Sequence, residues 1–150
     1  PTPKEFDLGE QLCECLLGFE DAWEAKNLKI ETDIQDDVRM KSDPELLSLV
    51  WNNLISNAVK FTRSGGTVSV CLKAEENHVI VSVSDTGCGM NPEIGQHIFE
   101  KFYQGDTSHA TQGNGLGLAL VKRVVDILNG EIGVGSVYGQ GSTFTVKFKR

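Results

Sequence analysis

Three groups of residues in this chain have types and spacings that could do chemistry. The first is Asp85-Thr-Gly87-Cys-Gly89, at the end of the run "VIVSVSDTGCGM" (79–90). Val79, Val81 and Val83 alternate with Ile80, Ser82 and Ser84, the period of a strand with one buried face. One further step in that register turns Asp85 inward. A carboxylate placed there needs a partner, because desolvating an unpaired charge is costly, and Gly87 and Gly89 keep side chains away from whatever approaches it. The second group is Asn53, Asn57 and Lys60. At about 100° per residue on a helix they continue the stripe begun by Leu46 and Val50, so an apolar stripe turns polar halfway along. Amide oxygens there suit a hard metal, and an amine suits phosphate. The third is "QGNGLGLALV" (112–121), where Gly113, Gly115 and Gly117 permit close backbone approach and the helix that follows offers free N–H groups to an anion.

Each group alone has a plain structural explanation. Asp-Thr-Gly is ordinary turn chemistry, exposed asparagines are common, and glycines cap helices. A dinucleotide-binding turn is excluded, since it needs G-x-G-x-x-G directly after a strand; here the sixth position is Leu118 and a polar loop precedes. Taken together, an inward acceptor, an amide-lined helix and a phosphate-ready helix start read as a nucleotide site.

The elements that must position these groups follow from local pattern. "EFDLGEQLCECLLGFEDAWEAKN" starts extended and becomes one amphipathic helix ending near Lys26-Asn27. "LKIETDI" and "VRMKS" read as strands. "DPELLSLVWNNLISNAVKFT" reads as a strong helix with Asp43 as N-cap and Pro44 in the first turn, its Leu47, Leu54 and Phe61 forming a stripe toward a sheet. "GGTVSVCLKAEENHVIVSVSD" gives two strands around a turn at Glu75-Glu76-Asn77. "NPEIGQHIFEKFYQ" is a short helix with aromatic anchors, and "GDTSHATQGNG" a polar loop. "LGLALVKRVVDILNG" is a helix with Gly130 at C′, and "EIGVGSVYGQGSTFTVKFKR" a final strand pair. The fold class expected is α/β, an α+β two-layer sandwich with a mixed, mostly antiparallel sheet and helices packed on one face.

Size and composition agree. The 150 residues suit one domain with its own core, and no apolar run approaches the roughly 20 residues of a membrane helix. The polar start "PTPKEFDL" carries no signal-peptide pattern. A net charge of −7 argues against nucleic acid or anionic lipid as a partner. Cys13, Cys15, Cys71 and Cys88 read as reduced thiols; Cys13 and Cys15 point in different directions on a helix and do not share a zinc.

These motifs resemble those of the catalytic, ATP-binding domain of bacterial sensor histidine kinases. "NLISNAVKF" (53–61) is similar to that family's N box, "DTGCGM" (85–90) to its first glycine box, "IFEKFYQ" (98–104) to its F box, "GNGLGLAL" (113–120) to its second glycine box, and "GSTF" (141–144) to a short motif of the last hairpin. The resemblance implies a Bergerat-type ATP-binding fold over residues 1–150, with a lid over about 91–113. It implies that Asp85 accepts a hydrogen bond from the adenine N6 amine, with Gly87 and Gly89 giving the base room and Phe61 lying against it. Asn57 would bind Mg²⁺ through its amide oxygen. Asn53 and Lys60 would act catalytically at the phosphates or their waters, and Gly113, Gly115 and Gly117 with Leu116 and Leu118 would cradle them. Thr143 joins the nucleotide contacts, and Phe99 and Phe102 anchor the lid. Gln104 stands where many relatives carry an arginine near the γ-phosphate, so that contact is expected to be weaker.

The implied reaction passes the γ-phosphoryl group to a histidine on a separate helical phosphoacceptor domain of the same parent protein, and indirectly to a response regulator. His78, His97 and His109 lack an acceptor's helical context, so this segment is not expected to phosphorylate itself. The implied ligands are ATP, ADP and Mg²⁺. The domain is expected to be monomeric and cytoplasmic, with the parent anchored in the cell membrane. Two other classes remain open. One is an ATPase of the gyrase, chaperone or mismatch-repair type, which carries glutamate where Asn53 stands; the other is a nucleotide-sensing pseudokinase or interaction module.

Overall fold

The computed structural model describes residues 2–87, 115–137 and 140–150. The expected lid, the F-box helix, Cys88, Gly89, His97, Phe99, Phe102, Gln104, His109 and Gly113 lie outside the described residues.

The elements in chain order are β1 (Lys4–Asp7), α1 (Leu8–Leu17), α2 (Glu20–Ala25), β2 (Lys29–Ile34), β3 (Arg39–Ser42), α3 (Pro44–Phe61), β4 (Thr67–Ala74), β5 (His78–Asp85), α4 (Gly115–Ile127), β6 (Glu131–Val137) and β7 (Gly141–Lys149). Five strands form one sheet in the order β2-β4-β5-β7-β6, with β2 parallel to β4 and the other neighbours antiparallel. This is the mixed, mostly antiparallel sheet that the strand patterns predict. β1 and β3 form a separate antiparallel pair, from Lys4 opposite Ser42 to Asp7 opposite Arg39. Sequence alternation alone did not foresee that small sheet.

Alternation decides which face of the main sheet is covered. Val68, Val70 and Leu72 of β4, Val79, Val81 and Val83 of β5, and Phe144, Val146 and Phe148 of β7 are all buried. Against them lie Leu8, Leu12 and Leu16 of α1, a broad face of α3, and Val121, Val124 and Val125 of α4. Intervening residues such as Ser69, Cys71, Ser82, Ser84 and Thr145 are half-buried on the other face. Hydrophobic burial of one sheet face under three helices is the dominant stabilising term in such a layer arrangement.

α3 begins as its sequence predicts. Asp43 accepts a hydrogen bond from the Leu46 backbone N–H at 3.0 Å, with Pro44 at the first helical position. Its second carboxylate oxygen accepts from the Thr2 backbone N–H at 2.8 Å, tying the start of the chain to the start of the helix. These backbone donors hold the Asp43 carboxyl below its ordinary value. The buried face of α3 is wider than the stripe read from spacing: Trp51, Ile55, Ala58 and Val59 join Leu47 and Leu54, while Phe61 is only half-buried. Trp51 is 0% exposed; its indole N–H donates to Gln11 Oε1 at 2.7 Å, and Gln11 Nε2 donates to the Pro44 carbonyl at 2.7 Å.

Two boundaries differ from expectation. The single helix expected to end near Lys26-Asn27 is two, broken at Gly18-Phe19. Glycine is a poor helix interior residue, and the apolar series Leu12, Leu16, Phe19, Trp23 conceals the break because its spacing stays helical. At the end of α4, Asn129 rather than Gly130 takes the left-handed conformation, with φ 59°. Gly130 N–H then bonds the Val125 carbonyl at 2.9 Å and Asn129 N–H the Asp126 carbonyl at 3.1 Å, the pairing of a Schellman motif. Gly130 is needed one position later, because a Cβ there would run into the Phe148 ring.

Candidate nucleotide site

The candidate site lies at the polar end of the inner sheet face. Cross-strand register places Val68, Asp85, Ser142 and Ser136 in one row, directly beyond the apolar row Val70, Val83, Phe144 and Val134. The sheet thus changes from core to polar site within one two-residue step. Asp85 is half-buried, and burial raises its pKa above the ordinary 3.8, partly offset by backbone N–H groups of Gly87 and Ser142. The Gly87 donor lies 2.8 Å from Oδ1. The carboxylate is therefore held and oriented rather than solvated, with acceptor capacity left for a further donor.

Gly87 is buried where the end of β5 meets the end of α3. A Cβ on it would run into the Phe61 carbonyl oxygen and stand 2.8 Å from Asp85 Oδ1. The Gly87 backbone thus packs directly on the end of α3, an approach that only glycine permits. Replacing Gly87 with alanine is expected to cost about 1–3 kcal/mol, the range for overpacking a filled site. Denaturant unfolding measures it, and a change below about 0.5 kcal/mol, the size of an indifferent surface substitution, would show that the neighbours yield freely.

Gly141 makes a second close approach. Its φ of 139° is outside the range side chains favour, and a Cβ there would strike the Asp85 carbonyl oxygen. The hairpin it opens borders an open cleft of about 420 Å³ lined by Asp85, Gly135, Ser136, Gln140, Gly141, Ser142 and Thr143.

The helical side of the site comes from α3 and the first turn of α4, which pack together. Asn53 is half-buried; its Nδ2 donates to the Leu49 carbonyl at 2.6 Å. A Cβ on Gly117 would stand 2.8 Å from Asn53 Oδ1, so the absence of a side chain at 117 lets the start of α4 close on this amide. Asn57 is half-buried on the same side of α3, and Lys60 is exposed at its end. Gly115 is the first residue of α4. Leu118 is half-buried and packed against the core.

The structure brings Asp85, Gly87 and the end of α3 at Phe61 together at one end of the sandwich, and Asn53 to Gly117 beside it. Thr143 shares the cleft with Asp85 but not its inner row. Thr143 reaches the rim of the cleft, but its hydroxyl lies 3.0 Å from Ser84 Oγ on the outer face of the sheet. Ser142, one residue earlier, shares the inner row with Asp85. Sequence reasoning missed it, although Phe144, Val146 and Phe148 carry the register back to it by twos. Gly89, Gln104 and Gly113 lie outside the described residues, as does the side chain of Leu116. Among the described residues, no cluster of three or more His, Cys, Asp or Glu stands together to hold a metal. A cation here would draw on the amide oxygen of Asn57 and on phosphate.

An α/β sandwich with an oriented carboxylate at the end of an inner strand, and a glycine-bearing helix start beside an amide-lined helix, defines a nucleotide-binding domain. Residues 42–150 match the family described as histidine kinase-, DNA gyrase B- and HSP90-like ATPases, and the chain belongs to that family. It is 34% identical over 148 residues to the sensor-like histidine kinase SenX3 of Mycobacterium tuberculosis, covering 97% of this chain and 36% of that one. It is 38% identical over 148 residues to the circadian input-output histidine kinase CikA of Synechococcus elongatus, covering 95% and 20%. The chain thus spans about a third or less of these relatives. Among solved structures it is similar to the catalytic domain of histidine kinase ThkA, with a TM-score of 0.89 at 26% identity over 99% of this chain and 96% of that one. Full-length ShkA in complex with AMPPNP gives a TM-score of 0.86 at 31% identity, over 98% and 31%. The layered fold expected from sequence is that of histidine kinase catalytic domains.

Proposed function

We propose that this chain is the catalytic domain of a two-component sensor kinase, binding Mg²⁺-ATP and donating the γ-phosphoryl group to a histidine on a separate helical phosphoacceptor domain. Residues 1–150 act as one unit, with a lid over about 91–113 that includes Gln104. The observation that carries this reading is the Asp85 carboxylate, held by Gly87 N–H at the polar end of the inner face. An acceptor fixed in that way selects a base that presents an amine, as adenine does through N6. Close packing of Gly87 on the Phe61 carbonyl fixes the end of α3 beside this carboxylate.

In the transfer, the bond from the γ-phosphorus to the bridging oxygen breaks and a phosphorus–nitrogen bond to imidazole forms. The ring gives up a proton and ADP leaves. Such chemistry depends on positioning and charge neutralisation. Asn53 and Lys60 orient the phosphates, Gly115 and Gly117 let them approach the start of α4, and Asn57 offers an amide oxygen to Mg²⁺, which when bound neutralises charge on phosphate oxygens. Asn53 is no general base for water, because an amide does not take up a proton near neutrality. Hydrolysis by this chain alone is accordingly slow.

The parent protein is read as placing this domain in the cytoplasm and anchoring itself in the cell membrane. No helix among the described residues is long and apolar enough to cross a membrane. The deciding experiment mixes the chain with γ-labelled ATP, Mg²⁺ and the histidine-bearing helical segment of its parent. Acid-labile label on that segment is the expected result, with none on His78, His97 or His109. Rapid hydrolysis with no transfer would favour the ATPase branch of the family instead.

A further inference from the structure

We infer that Lys26 is a positioning residue for the nucleotide site, acting through the C-terminal turn of α3. This rests on the nucleotide reading of that site. A helix that ends at Phe61 leaves its last four carbonyls, those of residues 58–61, without partners inside the helix. The structure gives donors to three of them. Ala58 O accepts from the Thr62 backbone N–H at 3.1 Å and from Thr62 Oγ1 at 2.6 Å. Val59 O and Lys60 O both accept from Lys26 Nζ, at 2.7 Å and 3.0 Å. The fourth, Phe61 O, faces Gly87.

Lys26 is thus a side chain from a distant part of the chain that grips the turn carrying Asn57, Lys60 and Phe61. Its ammonium also lies at the negative end of the α3 dipole, where a cation is stabilised. The grip is backed by the main chain. Asn27, with φ 54°, turns the chain sharply after Lys26. Lys26 O accepts from Gly65 N–H at 3.2 Å, and Lys29 N–H donates to Gly66 O at 2.8 Å. The 26–29 turn and the exit of α3 are therefore bound at three places. Burial lowers the Lys26 pKa, as expected of an ammonium withdrawn from water onto carbonyls.

The functional consequence runs along short contacts. The position of Val59 O and Lys60 O sets that of Phe61 O, which limits how deep Gly87 can sit. Gly87 N–H in turn orients the Asp85 carboxylate. A loosened turn would leave Asp85 on its strand while blurring the space between it and Phe61.

The test compares wild type with Lys26→Met, which keeps the aliphatic stem, and Lys26→Arg, which can still donate to two carbonyls. Two readouts are taken below the unfolding midpoint of every variant: affinity for ADP and GTP by calorimetry, and amide exchange of Thr62 and Gly87 without nucleotide. For Lys26→Met, exchange at both amides is expected to quicken and ADP affinity to fall about tenfold, as for one lost charge-assisted contact. The preference for ADP over GTP narrows, and Lys26→Arg recovers most of both effects. A lower unfolding midpoint with affinity within about twofold, inside the scatter of distant substitutions, would make Lys26 a stabilising cap only and overturn the inference. If wild type binds no adenine nucleotide, the functional reading fails by itself, and unchanged exchange at Thr62 and Gly87 then removes the positioning role as well.

Discussion

Replacing Asp85 with asparagine is expected to weaken adenine-nucleotide binding about tenfold to a hundredfold, the equivalent of one charge-assisted hydrogen bond at roughly 1.5–3 kcal/mol. The amide oxygen would take over the Gly87 N–H bond that Oδ1 now accepts at 2.8 Å. The atom then left toward the base is an NH₂ group, which opposes the adenine amine. Guanine, with a carbonyl at that position, loses less, so adenine preference narrows. Calorimetric titration of ADP, a non-hydrolysable ATP analogue and GTP measures both effects. Undiminished ADP affinity in the variant would remove Asp85 from base recognition.

The same substitution has an opposite effect on the unliganded protein. Burial raises the Asp85 pKa above 3.8 in the folded state. Between 3.8 and that raised value the folded chain holds a proton that the unfolded chain has released, so stability falls as pH rises through the window. Asparagine does not titrate. The unfolding midpoint of Asp85→Asn minus that of wild type is therefore expected to grow from pH 4 to pH 7. A flat or declining difference would mean that burial does not govern this carboxyl.

The second large effect concerns stability rather than recognition. Trp51→Ala is expected to cost about 3–5 kcal/mol, the range for emptying a buried aromatic site. That is a large share of the 5–15 kcal/mol a domain has in total. The indole is fully buried, meets the Phe148 ring edge to face at 6.4 Å, and satisfies Gln11 Oε1. Denaturant unfolding gives the loss directly. Trp51→Phe keeps most of the ring packing but leaves the Gln11 acceptor unpaired, so an intermediate loss is expected. Below their unfolding midpoints both variants should keep their preference for adenine, because Trp51 lies on the core side of α3. A loss below about 1 kcal/mol for the alanine variant, the level of an average point substitution, would contradict the packing described.

The inner face of the sheet was legible from sequence because period-two alternation is a local signal. It carried the reading through Val79, Val81 and Val83 to Asp85, and the α3 cap at Asp43 followed from residue type and spacing. What escaped was set by chain segments far apart. The pairing of β1 with β3 joins residues about 35 positions apart, and nothing in either stretch names its partner. Lys26 reads as a surface lysine until its carbonyl acceptors 33 and 34 residues away are seen. Thr143 and Ser142 differ by one step in a strand, and motif similarity does not say which of two adjacent hydroxyls faces inward. The break at Gly18 was hidden by apolar spacing that fits one helix or two.

The strand register of Asp85 ties the proposed recognition to folding. A slip of β5 by one residue would turn Asp85 to the outer face, and in the same motion would expel Val79, Val81 and Val83 from the core. A one-residue misalignment of this strand therefore cannot turn Asp85 outward and keep the hydrophobic layer in place. Packing of the core thus also fixes the face on which the Asp85 carboxylate lies, before any ligand arrives. Adjustment of affinity within this architecture is left to the helix ends and glycine turns around the carboxylate.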